Sequence, residues 1–191
     1  RLRNNIISFF YRNILRRAFF KIDEEKIHNS AIKAGKILGS NVILRKLVSF
    51  SFNFSDPILS QNILGINFKN PVGLAAGFDK NAKLIKIAPD VGFGFMEVGS
   101  VTSQPCAGNP RPRLWRLPKS EGIVVNYCLN NDGCETIAKR LIRDKDARIP
   151  IGVSIAKTNS SIVVEVEEGI ADYLRGVRPF LNIGEYLVIN I

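Results

Sequence analysis

The residues best suited to chemistry are concentrated in Ala75-Ala76-Gly77-Phe78-Asp79-Lys80, where three small side chains lie just ahead of an acid and a lysine. Small residues let a flat ring system approach the backbone, because any larger side chain would occupy that space. Lys80 adds a positive charge suited to an anionic ring or to a carboxylate. The same hexamer also reads as a tight strand-to-helix turn with a solvated lysine, so its surroundings must decide. His28 is the only histidine and lies on a predicted helix far from the hexamer in sequence. That placement favours packing or an interhelix hydrogen bond over catalysis. Cys106, Cys128 and Cys134 are odd in number and lack Cys-x-x-Cys spacing; no disulfide framework or metal site is expected, and a reducing compartment fits. Cys128 reads as a small buried cysteine, reactive only where its thiolate is stabilised.

The elements that must position these residues follow a strand, turn, helix grammar from Ile63 onward. Strands are predicted at Ile63–Phe68, Val72–Leu74, Phe93–Val98, Ile151–Ile155 and Tyr186–Ile191, with helices around Ala82–Ala88, Thr136–Arg143 and Glu167–Arg178. Short apolar strands alternating with helices imply an α/β fold with a parallel sheet. In such sheets ligands gather beyond the carboxyl ends of the strands. Here those places are residues 75–81, 99–109, 154–159 and whatever follows Asn190.

Residues 4–20 read as an amphipathic helix. Ile6, Phe10, Ile14 and Ala18 form one four-spaced row with Ile7, Tyr11, Leu15 and Phe19 beside it, and Asn4, Ser8, Arg12 and Arg16 fall opposite. A second helix opens at Asp23, whose carboxylate caps free N–H groups while Glu24 and Glu25 meet the positive end of the dipole, and it closes near Gly39. Such a hairpin either lies on a membrane or packs its apolar rows on itself and on the sheet. Residues 41–62 read as a polar, aromatic-dotted connection with a turn at Asp56-Pro57. The expected division is therefore 1–40, 41–62 and 63–191.

The net charge of +10 is unevenly placed: residues 1–50 hold eleven Lys/Arg against three acids, and the remainder is nearly balanced. A basic appendage suits an anionic membrane surface better than a nucleic-acid groove crossing the molecule, so no nucleic-acid partner is expected. No apolar run approaches the roughly 20 residues needed to span a bilayer. At 191 residues the chain is too short for a complete eightfold β/α barrel of about 250 residues.

The run Asn70-Pro71-Val72-Gly73-Leu74, the hexamer, the later Gly-Phe-Gly-Phe and Glu-Val-Gly, and Gly108-Asn109-Pro110-Arg111-Pro112-Arg113-Leu114 recur in this order in one family. On these motifs the chain resembles the quinone-linked dihydroorotate dehydrogenases, over almost its whole length. Ile22–His28 looks like the start of that family's second amphipathic helix, and Tyr186–Ile191 like its fourth core strand. The resemblance implies about the first half of a β/α (TIM) barrel preceded by a helical hairpin. FMN would bind at its carboxyl end, dihydroorotate would pass a hydride to it, and a quinone entering between the amino-terminal helices would reoxidise it. Ala76 and Gly77 match flavin-backing residues, and Lys80 the lysine touching flavin and orotate carboxylate. Ser100 and Ser154 match further flavin contacts, and Asn190 the asparagine shared by flavin and substrate. Asn126 matches the substrate asparagine.

The departures from the pattern are specific. The family's Asn-x-x-Gly-Phe-Asn-Asn loop is here Asn126-Tyr127-Cys128-Leu129-Asn130-Asn131, one residue short; with the register kept, Val125 takes the asparagine's place. Gly-Lys-Asn-Lys has become Ala156-Lys157-Thr158-Asn159, and the usual Pro-Arg is Ser103-Gln104. The serine base loop is expected beyond Ile191, so no catalytic base is assigned to this chain. The resemblance implies peripheral attachment to the cytoplasmic face of a bacterial inner membrane, or alternatively to the mitochondrial inner membrane. The expectation is a fragment inactive by itself. The alternative is a non-enzymatic membrane-associated or protein-interaction module.

Overall fold

Runs such as Met96–Val101 and Ile151–Ile155 are predominantly apolar, broken only by Glu97, Ser100 and Ser154, because they form the middle of a parallel sheet, where both faces of a strand are largely covered. The computed structural model of the chain describes residues 2–144 and 147–191; Arg1, part of the segment read as membrane-facing, lies outside them. In chain order the elements are α1 (Leu2–Phe10), a π-helical turn (Tyr11–Leu15), α2 (Arg16–Phe19), α3 (Glu24–Ser40), α4 (Val42–Phe52), β1 (Gln61–Ile63), β2 (Ile66–Phe68) and β3 (Gly73–Leu74). They continue with α5 (Ala88–Val91), β4 (Phe95–Val101), β5 (Leu114–Leu117), β6 (Gly122–Val125), α6 (Cys134–Arg143), β7 (Ile151–Ala156), α7 (Val166–Val177) and β8 (Tyr186–Asn190).

The main sheet has the order β3-β4-β7-β8 with every pairing parallel. Met96 lies opposite Ile151 and Val98 opposite Val153, while Ala156 lies opposite Asn190. Met96, Val98, Val101, Val153 and Ile155 have no exposed surface, and Ile137 and Leu141 of α6 together with Phe180 close over them. The expected α/β class, parallel sheet and preceding helices are all present.

Several local expectations are corrected. Ile63–Phe68 is two antiparallel strands rather than one, because Leu64 and Gly65 both take positive φ (51° and 81°) and turn the chain back on itself. The helix expected around Ala82–Ala88 is confined to Ala88–Val91. The buried Asp79 carboxylate instead accepts N–H bonds from Asn81 (3.3 Å) and Leu84 (2.6 Å), holding the intervening chain in turns. The stretch 41–62, read as a connection, contains α4; Asn41 caps it by accepting from the N–H groups of Ile43 and Leu44 at 2.8 and 3.1 Å. The hairpin β5–β6 was not anticipated. Asp23 caps α3 as expected, accepting from Lys26 N–H at 2.9 Å.

The helical layer is built differently from the sheet. Phe9, Phe10, Ile14, Leu15, Val42, Ile43, Leu47 and Phe50 are all exposed. Ion pairs join the layer to the rest: Glu25 with Arg113 (2.8 Å) and Arg111 (2.9 Å), Glu24 with Arg116 (3.4 Å), and Arg45 with the buried Asp90 (3.0 Å).

Candidate functional site

The carboxyl ends of β4, β7 and β8 carry three polar side chains joined in one chain of hydrogen bonds. Ser100 Oγ and Ser154 Oγ are 2.9 Å apart, and Asn190 Nδ2 donates to Ser100 Oγ at 2.8 Å. Parallel register does this: strands that start together end together, so residues far apart in sequence finish side by side. The Ala75–Lys80 turn is fastened beside them by Gly77 N–H donating to the Gly99 carbonyl at 2.8 Å. Gly77 has φ +100°, and a Cβ there would point into open space. Gly99 has φ +113°, and a Cβ would come within 2.4 Å of the Ser154 carbonyl oxygen, so only glycine fits between the strands.

A cleft of about 940 Å³ lies between the Ala76–Asn81 turn and the helical layer; Ser100, Ser154 and Asn190 do not line it. Ala76, Gly77, Lys80, Tyr127 and Asn130 line one side, and Phe19, Phe20, Ile27 and His28 the other. Burial, then the Arg113 charge, pushes the Lys80 ammonium below its ordinary pKa, while Cys106 and Cys128 act weakly the other way. Its Nζ lies 5.1 Å from the centre of the Tyr127 ring. His28 packs edge-on against Phe78 at 5.0 Å, and burial lowers its pKa. The packing role expected for His28 is therefore what it has, against the site turn and not a second helix.

Asn126 is placed elsewhere. Its side-chain oxygen accepts from Asn109 Nδ2 at 2.8 Å, its N–H donates to the Arg113 carbonyl at 2.9 Å, and it does not line the cleft. Its loop is pinned by the buried Asn131, whose Nδ2 donates to Thr102 Oγ1 and to the Leu129 carbonyl, both at 2.7 Å. Ala76, Gly77 and Lys80 thus meet at the cleft and Ser100, Ser154 and Asn190 meet along the strand ends, with Asn126 in the flanking hairpin.

Two residues that sequence reasoning gave no role complete the arrangement. Arg113 is buried: it donates to Glu25, to the carbonyls of Ala107 (2.9 Å) and Asn109 (3.1 Å), and stacks 4.7 Å from the Tyr127 ring centre. Asp172 is also buried and accepts from Thr158 N–H at 2.7 Å, from Thr158 Oγ1 at 2.9 Å and from Ser103 Oγ. The signal for Asp172 was two hydroxyl residues, Ser103 and Thr158, standing where the family pattern has neither. Those departures touch each other, at 3.3 Å between hydroxyl oxygens. A second pair does too: Asn159 Nδ2 lies 2.9 Å from Cys128 Sγ.

Fold and geometry define a parallel β/α protein with a cluster of polar residues at the carboxyl ends of its strands and a helical layer beside it. The dihydroorotate dehydrogenase family matches residues 58–191, and the chain belongs to that family. It is 37% identical to the dihydroorotate dehydrogenase (quinone) of Chloroflexus aurantiacus over 98% of this chain and 52% of the relative. It is 40% identical to the enzyme of the same name from Nitratiruptor, over 93% of this chain and 50% of the relative. A crystal structure of dihydroorotate dehydrogenase from Eimeria tenella in complex with ferulenol superposes with TM-score 0.73 at 34% identity, covering 88% of this chain and 43% of that one. The ligand-free structure from the same organism superposes with TM-score 0.63 at 37% identity, over 78% and 43%. The four-stranded sheet is accordingly part of a β/α barrel, and the chain spans about half the length of the relatives it matches. The family implies FMN. The residues present fit a flat flavin ring: Gly77 leaves open space where a side chain would stand, and hydroxyl and amide groups line the strand ends beside it.

Proposed function

We propose that this chain supplies the flavin-backing and lysine-bearing half of a quinone-type dihydroorotate dehydrogenase. The observation that carries this reading is the hydrogen-bonded row Ser154–Ser100–Asn190 beside the open backbone at Gly77. Ala76 and Gly77 back the ring, Lys80, Ser100, Ser154 and Asn190 contact it, and Lys80 and Asn190 meet the substrate; Asn126, turned to Asn109 in the flanking hairpin, has no substrate contact in this reading. Bound FMN supplies the hydride acceptor. Lys80 neutralises and orients a substrate carboxylate, which a charge held in a half-dry cleft does more strongly than one in water. Asn190 donates and accepts through one amide, suited to a planar ring with alternating polar edges. The quinone enters through the cleft between the helical layer and the barrel, in the division 1–40, 41–62 and 63–191.

The chain alone is proposed to be inactive and to hold FMN less than stoichiometrically. The groups it brings to the strand ends are hydroxyls bonded to their neighbours, an amide and an ammonium; they bind and orient, and none is a base aimed at a ring proton. Flavin absorbance after dialysis, and dihydroorotate-dependent dye reduction with Lys80→Ala as control, test this. A yellow cofactor retained at one per chain overturns the binding statement, and turnover lost in Lys80→Ala overturns the claim of inactivity. The exposed apolar residues of α1 and α4, with Arg12, Arg16 and Arg17, support peripheral attachment to a bacterial inner membrane. Among the described residues no helix is long and apolar enough to cross one.

A further inference from the structure

Lys80 makes no ion pair among the described residues, although it is half-buried and stands where the proposed substrate carboxylate would meet it. An ammonium drawn partly out of water needs some other hold. What it meets is the Tyr127 ring, 5.1 Å from the ring centre and within the range where an aromatic face attracts a cation. The Tyr127 hydroxyl does not explain this placement. It is buried and has no hydrogen-bond partner among the described residues, so contacts through the ring keep the side chain where it is.

The same ring carries a second cation, Arg113, at 4.7 Å. Two positive groups on one ring repel each other, and Arg113 is a cause of the lowered pKa of Lys80. Glu25, at the first turn of α3, offsets that charge through a 2.8 Å bond to Arg113 Nη2. We propose that Tyr127 is the positioning residue for Lys80, its ring holding the ammonium over the cleft, and that Glu25 through Arg113 couples this hold to the docking of α3. Loss of the acid leaves an uncompensated guanidinium beside Lys80, and undocking of α3 therefore reaches a residue on the opposite wall of the cleft. The other groups that bear on Lys80 are Cys106, Cys128 and His28, and His28 in turn feels Asp79. The role assigned to Lys80 rests on the proposed function; the hold on Lys80 does not, and it can be read without flavin or substrate.

The experiment uses the full chain labelled with ¹³C-lysine, the Lys80 side-chain resonance being assigned by its loss in Lys80→Arg. In the parent chain the Lys80 methylene protons next to the ammonium should be shifted upfield by the ring. Tyr127→Phe should keep that shift, Tyr127→Leu should abolish it, and Glu25→Gln should move the Lys80 titration to lower pH with the ring still in place. Absence of an upfield shift in the parent chain, or its survival in Tyr127→Leu, overturns the positioning role. An unchanged titration in Glu25→Gln overturns the coupling. Should Tyr127→Leu fail to fold, the parent chain, Tyr127→Phe and Glu25→Gln decide: the ring shift tests the contact, and the coupled titration, which a merely structural tyrosine does not produce, tests the role. Failure to bind FMN leaves all of these readings intact, so the two proposals fail separately.

Discussion

The barrel portion and the helical layer are made from equally apolar sequence, yet they use it in opposite ways. In the barrel, Met96, Val98, Val153 and Phe180 are packed out of contact with water. In the helical layer, Phe9, Phe10, Ile43 and Phe50 face outward, and the ion pairs centred on Glu24, Glu25 and Arg45 hold the layer down. One region depends mainly on burial, which responds to moderate salt and pH less than charge does. The other depends on charge, which is sensitive to both. The helical layer can therefore be loosened under conditions that leave the sheet intact, which the proposed entry of a ligand at the cleft would require.

The sharpest contrast is between two phenylalanines. Phe180, 2% exposed, should cost about 3–5 kcal/mol when changed to alanine, through lost burial and a cavity. Phe10, 52% exposed, should cost no more than about 0.5 kcal/mol. Urea unfolding of the two variants measures this, and equal losses would erase the distinction between the regions.

Glu25→Gln comes next, at about 3 kcal/mol for leaving the buried Arg113 without its countercharge. Hydrogen exchange should show the loss in α1 to α3 and not in β4 or β7. The same contact sets a pH dependence. Hydrogen bonding from Arg113 holds the Glu25 carboxyl below its ordinary value of 4.5 in the folded chain. Its contribution is thus fully present above the unfolded value and is lost as pH falls through the lowered folded value. Acidification through that window should release the helical layer before the sheet melts.

A smaller effect tests whether the departures from the family pattern are linked. Ser103→Ala and Thr158→Ala should each cost roughly 1–3 kcal/mol, because each leaves the buried Asp172 short of a donor. The double variant should cost less than the sum, since both act on one carboxylate. Strict additivity by thermal melts would mean that the contacts are independent. Smallest per residue is the membrane term: replacing Arg12, Arg16 or Arg17 with glutamine should weaken binding to anionic vesicles by about 1 kcal/mol each at low salt. Co-sedimentation equal on neutral and anionic lipid would contradict the proposed membrane contact.

Much of the barrel was legible because short apolar, β-branched runs bounded by turn residues mark parallel strands. Phe93–Val98, Ile151–Ile155 and Tyr186–Ile191 were anticipated to within a few residues of β4, β7 and β8. The helix α4 was missed because its Asn41 cap was passed over and Phe50, Phe52 and Phe54 suggested an irregular segment. The β1–β2 turn was missed because Leu64, a residue seldom found at positive φ, concealed the signal of Gly65. That Ala76, Gly77 and Lys80 lie together in one turn after a strand was legible because backbone shape and charge are local properties. Arg113, Tyr127 and Asp172 were not, since each matters through partners 14 to 88 residues away in sequence.

By itself, then, the sequence determined the α/β class, the core strands and where they end, the cap at Asp23 and the basic amino-terminal segment, all properties of composition, period and local chemistry. Only the tertiary structure decided that Ser100, Ser154 and Asn190 share one hydrogen-bonded row, that Asn126 turns to Asn109, that Glu25 is buried against Arg113 and not simply facing its helix dipole, and that the altered loops touch one another. The physical reason is that a parallel sheet sets its register by packing across β/α units, and register chooses which distant side chains become neighbours.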